Sequence, residues 1–159
     1  MSVRAQLPMF LFLESTRLTQ YLVFNSVREF AYPIDSCVDF NVSKTVWSQW
    51  LFVDTAYLHS VLLGASVIND FILNRPPAKA TYFHLRKTIA SLNEHLSDSA
   101  AYLWDSTFAV VVILAMLADV FGDAGAARAH IAGLQRMIHL RGGLESFHQN
   151  TKLHIKIRL

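Results

Sequence analysis

The stretch Pro77-Ala-Lys-Ala-Thr-Tyr82-Phe-His-Leu85-Arg-Lys-Thr-Ile89-Ala-Ser-Leu92-Asn-Glu-His-Leu96 decides the fold. Its large apolar residues Tyr82, Leu85, Ile89, Leu92 and Leu96 recur at alternating gaps of three and four. That period lines one face of an α-helix and is incompatible with the two-residue alternation of a strand. Lys79, Arg86, Lys87, Asn93 and Glu94 fall largely on the remaining faces, as a helix packed on one side requires. Pro77 sits where a first helical turn tolerates proline.

Working outward, Pro76-Pro77 separates this helix from an earlier one. Asp54 is a candidate N-cap for that earlier helix, which the pattern carries to about Leu73 with Val61, Leu62, Ala65 and Ile68 on its apolar face. Gly64 and Ala65 there are small enough to admit a close helix neighbour. Trp47 and Trp50 stand just before it as an aromatic anchor. Further upstream, a helix is expected over 14–31, stopped by Pro33 and followed by a polar loop over 33–46. Downstream, Asp105 or Ser106 caps a helix that ends near Phe121 with Gly122 behind it. Asp123 caps the next, 124–140, whose face is Ala127, Ile131, Leu134 and Ile138. Gly142-Gly143 ends that one, and Asn150 caps a last helix. Helices joined by a few residues pack antiparallel. The predicted fold is therefore all-α, antiparallel stacked helical hairpins, either α-solenoid-like or a compact bundle. The sequence reads as one domain, 1–159, with 1–13 set apart as an N-terminal segment.

Composition narrows the class. With 53 % apolar and 16 % charged residues in a chain of 159, the sequence can bury a core. The longest apolar run, Phe108 to Ala118, is eleven residues. A membrane span needs about 20, so this run reads as a buried helix, and no membrane partner is expected. Arg4 and the apolar 7–13 stretch, broken by Pro8, lead into Glu14-Ser-Thr-Arg17 rather than a small-residue cleavage site, so an export signal is not read there. A single cysteine, Cys37, excludes a disulfide framework within the chain. An intracellular protein follows as the expectation. Net charge is +2. Arg128, Arg136, Arg141, Lys152, Lys156 and Arg158 stand against only Glu145 beyond position 127, and they read as solvated helix faces rather than a nucleic-acid surface.

Chemistry-bearing patterns are weak. His84 and His95 share a helix face but lie about 16 Å apart along the axis, too far for one ion. His130 and His139 fall on opposite sides of their helix. Glu145-x-x-His148 is half of a carboxylate di-iron motif without its second copy. Gly64-Ala-Ser-Val-Ile breaks the nucleophile-elbow pattern. Gly122-Asp-Ala-Gly125 puts an acidic cap where a phosphate would sit. No catalytic, cofactor-binding or metal residue is assigned, and no cofactor is expected.

A resemblance supplies what the residues alone do not. It is carried, in order, by Trp50-Leu-Phe-Val-Asp-Thr-Ala-Tyr-Leu-His-Ser-Val-Leu-Leu, His84-Leu-Arg-Lys-Thr-Ile-Ala-Ser-Leu-Asn-Glu-His-Leu-Ser-Asp and Asp105-Ser-Thr-Phe-Ala-Val-Val-Val-Ile-Leu. Phe121-Gly-Asp-Ala-Gly-Ala-Ala-Arg-Ala-His and Gly133-Leu-Gln-Arg-Met-Ile-His-Leu-Arg-Gly-Gly-Leu complete it. From Trp47 to about Arg158 the chain resembles the fungal-specific transcription factor domain of the second type, which follows zinc binuclear-cluster DNA-binding modules. The 21–35 stretch fits the same family. The resemblance implies an all-α, non-enzymatic regulatory region acting in the nucleus through protein partners or a small-molecule effector. The six-cysteine cluster is not in this sequence, so specific DNA binding by this chain is not expected. The family's helical region normally continues further, so the resemblance leads us to expect a short relative, a truncated gene model or a spliced remnant. An early stop leaves an apolar face uncovered, and self-association is expected from it. The alternative reading is a helical protein-interaction scaffold with no transcriptional role.

Overall fold

The computed structural model describes residues 46–158. The chain divides between Lys44 and Thr45 into two compact units, and all described residues belong to the second. The expectations for 1–13, 14–31, the loop to position 45 and Cys37 lie outside the described residues.

Six α-helices and no strand are described: α1 (Val46–Val53), α2 (Thr55–Ile72), α3 (Lys79–Ser97), α4 (Asp105–Val120), α5 (Ala124–Leu140) and α6 (Thr151–Arg158). Short 3₁₀ turns, Ala101–Leu103 and Leu144–Phe147, precede α4 and α6. The all-α fold of packed helices is as the sequence predicts. Trp47 and Trp50 lie inside α1, so the anchor is itself a helix. Trp50 meets Tyr57 edge-on at 5.4 Å between ring centroids. Asp54 breaks α1 from α2 with an extended backbone and caps α2, its Oδ1 accepting from the Tyr57 N–H at 2.9 Å.

α2 and α3 form one antiparallel hairpin, α4 and α5 a second, and α2 lies along α4. The run 108–118 belongs to the central helix. From Ser106 through Val112, with Leu114 and Ala118, α4 is buried on nearly every side. A helix apolar all round has no solvated face and must be enclosed by its neighbours. Phe108 meets Phe147 edge-on at 4.8 Å, and Leu153 of α6 is fully buried against the same core. The eleven-residue run is thus a core helix, and no described helix is long and apolar enough to cross a membrane.

Contacts fix the direction of the helices. His95 at the end of α3 reaches both Asp54, before α2, and Thr107, at the start of α4. Arg141, just after α5, reaches Asp105 at the start of α4. One pole of the bundle therefore gathers the starts of α2 and α4 and the ends of α3 and α5. The opposite pole gathers the ends of α2 and α4 and the starts of α3 and α5.

Several sequence expectations are corrected. The buried face of α2 is Ala56, Ser60, Leu63, Val67 and Asp70 rather than Val61, Leu62 and Ile68, which are half-buried; Ala65 is buried as expected. Among the described residues, a Cβ placed on Gly64 would meet nothing within 4 Å, so no described helix approaches closely there. The buried face of α3 is Thr81, Thr88 and Leu92, flanked by Leu85 and His95. Tyr82, Ile89 and Leu96 are exposed at its side. The stripe is rotated because two threonines take interior positions. Their hydroxyls find partners there, Thr81 on Asp70 and Thr88 on the His84 carbonyl at 2.8 Å. On α5 Ile131 is exposed and Met137 takes its place. Helix α3 begins at Lys79, so Pro77 precedes it. At the end of α5, Gly142 and Gly143 have φ of +100° and +93°, which a side chain disfavours. The Gly143 N–H returns to the Ile138 carbonyl at 2.9 Å and closes the helix as expected.

Candidate functional site

Three polar clusters bring described side chains capable of chemistry together across helices. The first is built on Asp105. Sequence reading makes it a cap, but the N-cap of α4 is Trp104, with no side-chain cap bond, and Asp105 occupies the first helical position. Its carboxylate turns sideways. Oδ1 accepts from Arg141 Nη1, and Oδ2 accepts from Asn150 Nδ2 at 2.8 Å. The same Arg141 nitrogen donates to the Leu103 carbonyl at 3.1 Å. The guanidinium lies 4.2 Å from the Phe147 ring centroid and 5.3 Å from that of Phe108. Asn150 also caps α6, accepting from the Leu153 N–H at 3.2 Å. Arg141 is therefore not a solvated member of the C-terminal basic cluster but the pin that joins α4, α5, the second 3₁₀ turn and α6. Arginine suits this position because its flat fork bonds a carboxylate while its face stacks on a ring. Arg128, Arg136 and Arg158 are exposed, as expected.

The second cluster is Asp54, His95 and Thr107. His95 Nδ1 is 3.2 Å from Thr107 Oγ1, and His95 Nε2 is 4.0 Å from Asp54 Oδ1. Hydroxyl, imidazole and carboxylate in that order have the layout of a nucleophilic triad. Burial and hydrogen bonding rule out that chemistry. Thr107 is fully buried, and its hydroxyl proton is committed to the Ala101 carbonyl at 2.7 Å. The oxygen must therefore accept from His95 Nδ1–H, which fixes the tautomer, and no substrate atom can reach it. The cluster ties three helix ends together.

The third cluster pairs His59 of α2 with His84 of α3. Their Nδ1 atoms are 2.9 Å apart and their ring centroids 5.2 Å apart. Those two distances require the nitrogens to face each other along one line, the geometry of an N–H···N hydrogen bond. Two lone pairs converging on a metal would meet at an angle instead. Burial holds both imidazoles below the usual histidine pKa, with Lys87 adding to the effect on His59 and His59 on His84. Phe83 packs edge-on to both rings. Among the described residues no group of three or more His, Cys, Asp or Glu could hold a metal ion. This pairing crosses helices and carries no spacing signal, so sequence reading missed it. His130, likewise depressed by burial, is half-buried, and His139 is exposed. Glu145 and His148 are an exposed surface pair.

Asp70 is the remaining carboxylate of note. It sits buried at the end of α2 yet starts α3, accepting from the Ala78 N–H at 2.9 Å and from the Thr81 hydroxyl, while Arg75 Nε bonds its other oxygen at 2.7 Å. The Thr81 bond above all, with Ala78 and Arg75, holds its pKa below the usual aspartate value against the opposing effect of burial.

The described body is all-helical, and its polar side chains bind helix to helix. The model of the fungal specific transcription factor domain matches residues 79–159, about half of the chain. The chain belongs to that family, which is regulatory rather than enzymatic, and a role in transcription regulation follows. The match spans four of the five sequence blocks; Trp50–Leu63 lies before it. Two of the matched blocks supply Asp105 and Arg141, so the likeness and the largest polar cluster coincide. No curated protein and no solved structure matches the chain.

Proposed function

We propose that this chain is the non-DNA-binding regulatory part of a nuclear transcription regulator and acts through protein contacts or a small-molecule effector, not through catalysis. The observation that carries the reading is the family match over 79–159. The site geometry supports it. The triad-like cluster is closed to substrate, and Arg141 of the C-terminal basic group is engaged inside the fold. A phosphate-binding surface draws on free lysines and arginines. The scaffold reading without a transcriptional role has no separate observation in its favour.

The test joins two measurements on the whole chain. Fused to an unrelated DNA-binding module, the chain is expected to change transcription of a reporter carrying that module's site. Alone, it is expected to give no sequence-selective shift of DNA fragments in a gel. A reporter left unchanged sinks the regulatory role, and a selective shift sinks the division of labour.

A further inference from the structure

Helix α3 is buried along one side only, through Thr81, Thr88 and Leu92. Beside that face Tyr82, Ile89 and Leu96 form a row, each between 44 and 56 % exposed. Intervals of seven keep the three within about 40° of one another around the helix, and the row is about 21 Å long. Apolar residues repeated every seven positions make a seam into which a second helix fits. The charges along the seam are of one sign. On its border away from the core α3 carries Lys79, Arg86 and Asn93, all exposed. The two cations are about 10 Å apart along the axis, and no carboxylate among the described residues pairs with either. Glu94, the one acid of α3, lies about 140° around the helix from Ile89. A second copy of the chain would set Lys79 and Arg86 against their own kind or against Asn93, so self-pairing here is disfavoured. A nucleic acid would bring a hydrated, charged backbone over three apolar side chains and find only two cations. A helix with one apolar face and an acidic border answers both features.

We propose that the outer side of α3 is a docking surface for an acidic amphipathic helix of another protein. Apolar side chains of that helix, spaced by three, four and seven, seat between Tyr82, Ile89 and Leu96. Two of its carboxylates, seven residues apart, meet Lys79 and Arg86. The apolar contact supplies the affinity, and the charges set orientation and choice of partner. The inference rests on the reading of the chain as one that acts through protein contacts, and it adds the chemistry of the partner.

Fluorescence anisotropy on the full chain tests it, with a labelled synthetic peptide of three heptads held helical by a hydrocarbon staple. One face of the peptide carries leucines bordered by glutamates, and a twin carries lysines in place of the glutamates. The chain is expected to bind the glutamate peptide about tenfold more tightly than the lysine peptide, because two border pairs pass from attraction to repulsion. Lys79→Glu combined with Arg86→Glu is expected to reverse that order, and Ile89→Gln to weaken the glutamate peptide about tenfold. Lys79 and Arg86 are exposed, so the reversal decides the matter even if Ile89→Gln unfolds part of the chain. Equal binding of the two peptides, a preference unmoved by the charge variant, or binding of neither overturns the proposal. So does flotation of the chain with phosphatidylserine vesicles that Ile89→Gln abolishes, which would give the seam to a membrane surface. A reporter response without peptide binding sinks this docking surface alone and leaves the regulatory role standing.

Discussion

Arg141 and Asp105, thirty-six positions apart, join the end of one helix hairpin to its beginning, and the same guanidinium sits over the Phe147 ring. The pair is mostly shielded from solvent, with side-chain exposures of 21 and 24 %. Replacing Arg141 by alanine removes the ion pair, the bond to Leu103 and the ring contact together. A loss of about 3 kcal/mol in unfolding free energy is expected in urea titration. Arg141→Lys keeps the charge but loses the fork and the stack, and should fall between the two. A lysine variant as stable as the original would show that charge alone matters here.

Asp70 is expected to respond both to substitution and to acid. Asp70→Ala leaves the Ala78 N–H and the Thr81 hydroxyl without their partner, at a cost of about 2 kcal/mol or more. Because its folded pKa lies below the unfolded one, its contribution is full above the ordinary aspartate pKa and is lost as pH falls through the folded value. Stability measured from pH 5 to pH 2 should therefore decline more steeply in the native chain than in Asp70→Ala. Parallel curves would remove Asp70 from the account.

The His59–His84 bond sets a second, milder window. Both folded pKa values are depressed, so the unfolded chain binds more protons near pH 6. Stability is then full above the ordinary histidine pKa and declines as pH drops through the depressed values. His84→Gln should flatten this decline between pH 7.5 and pH 5. Proton NMR should show both imidazoles titrating below the free-histidine value, and two normal titrations would contradict the paired geometry.

Phe147 is 1 % exposed and lies against both Phe108 and Arg141. Truncation to alanine opens a cavity under the 3₁₀ turn and should cost about 3–5 kcal/mol in thermal or chemical unfolding. A loss under about 1 kcal/mol would mean that the turn repacks freely.

Most of the helical layout was legible in the residues themselves. Prolines and glycines punctuate it, and Asp54, Asp123 and Asn150 cap where their side-chain type predicts, because capping is a local bond between neighbours in sequence. What eluded the reading was long-range. Asp105 has the look of a cap, and only its distance from Arg141 and Asn150 in space shows otherwise. The face of α3 was misjudged because large apolar residues were weighed above threonines, and Thr81 and Thr88 are interior only when Asp70 and the His84 carbonyl receive their hydroxyls. His59 and His84 are twenty-five positions apart on different helices, a separation with no periodic signature.

The enclosure of α4 bears on how the chain is made. Emerging from a ribosome, residues 105–120 appear before α5 and α6 have left the exit tunnel to cover them. α1 and the α2–α3 hairpin, already synthesised, are the described parts of the bundle available to shelter that greasy segment. A ribosome paused when Val120 has just cleared its exit tunnel should thus leave that segment to chaperones, and a weakened hairpin should send the nascent chain to degradation before its last helix emerges.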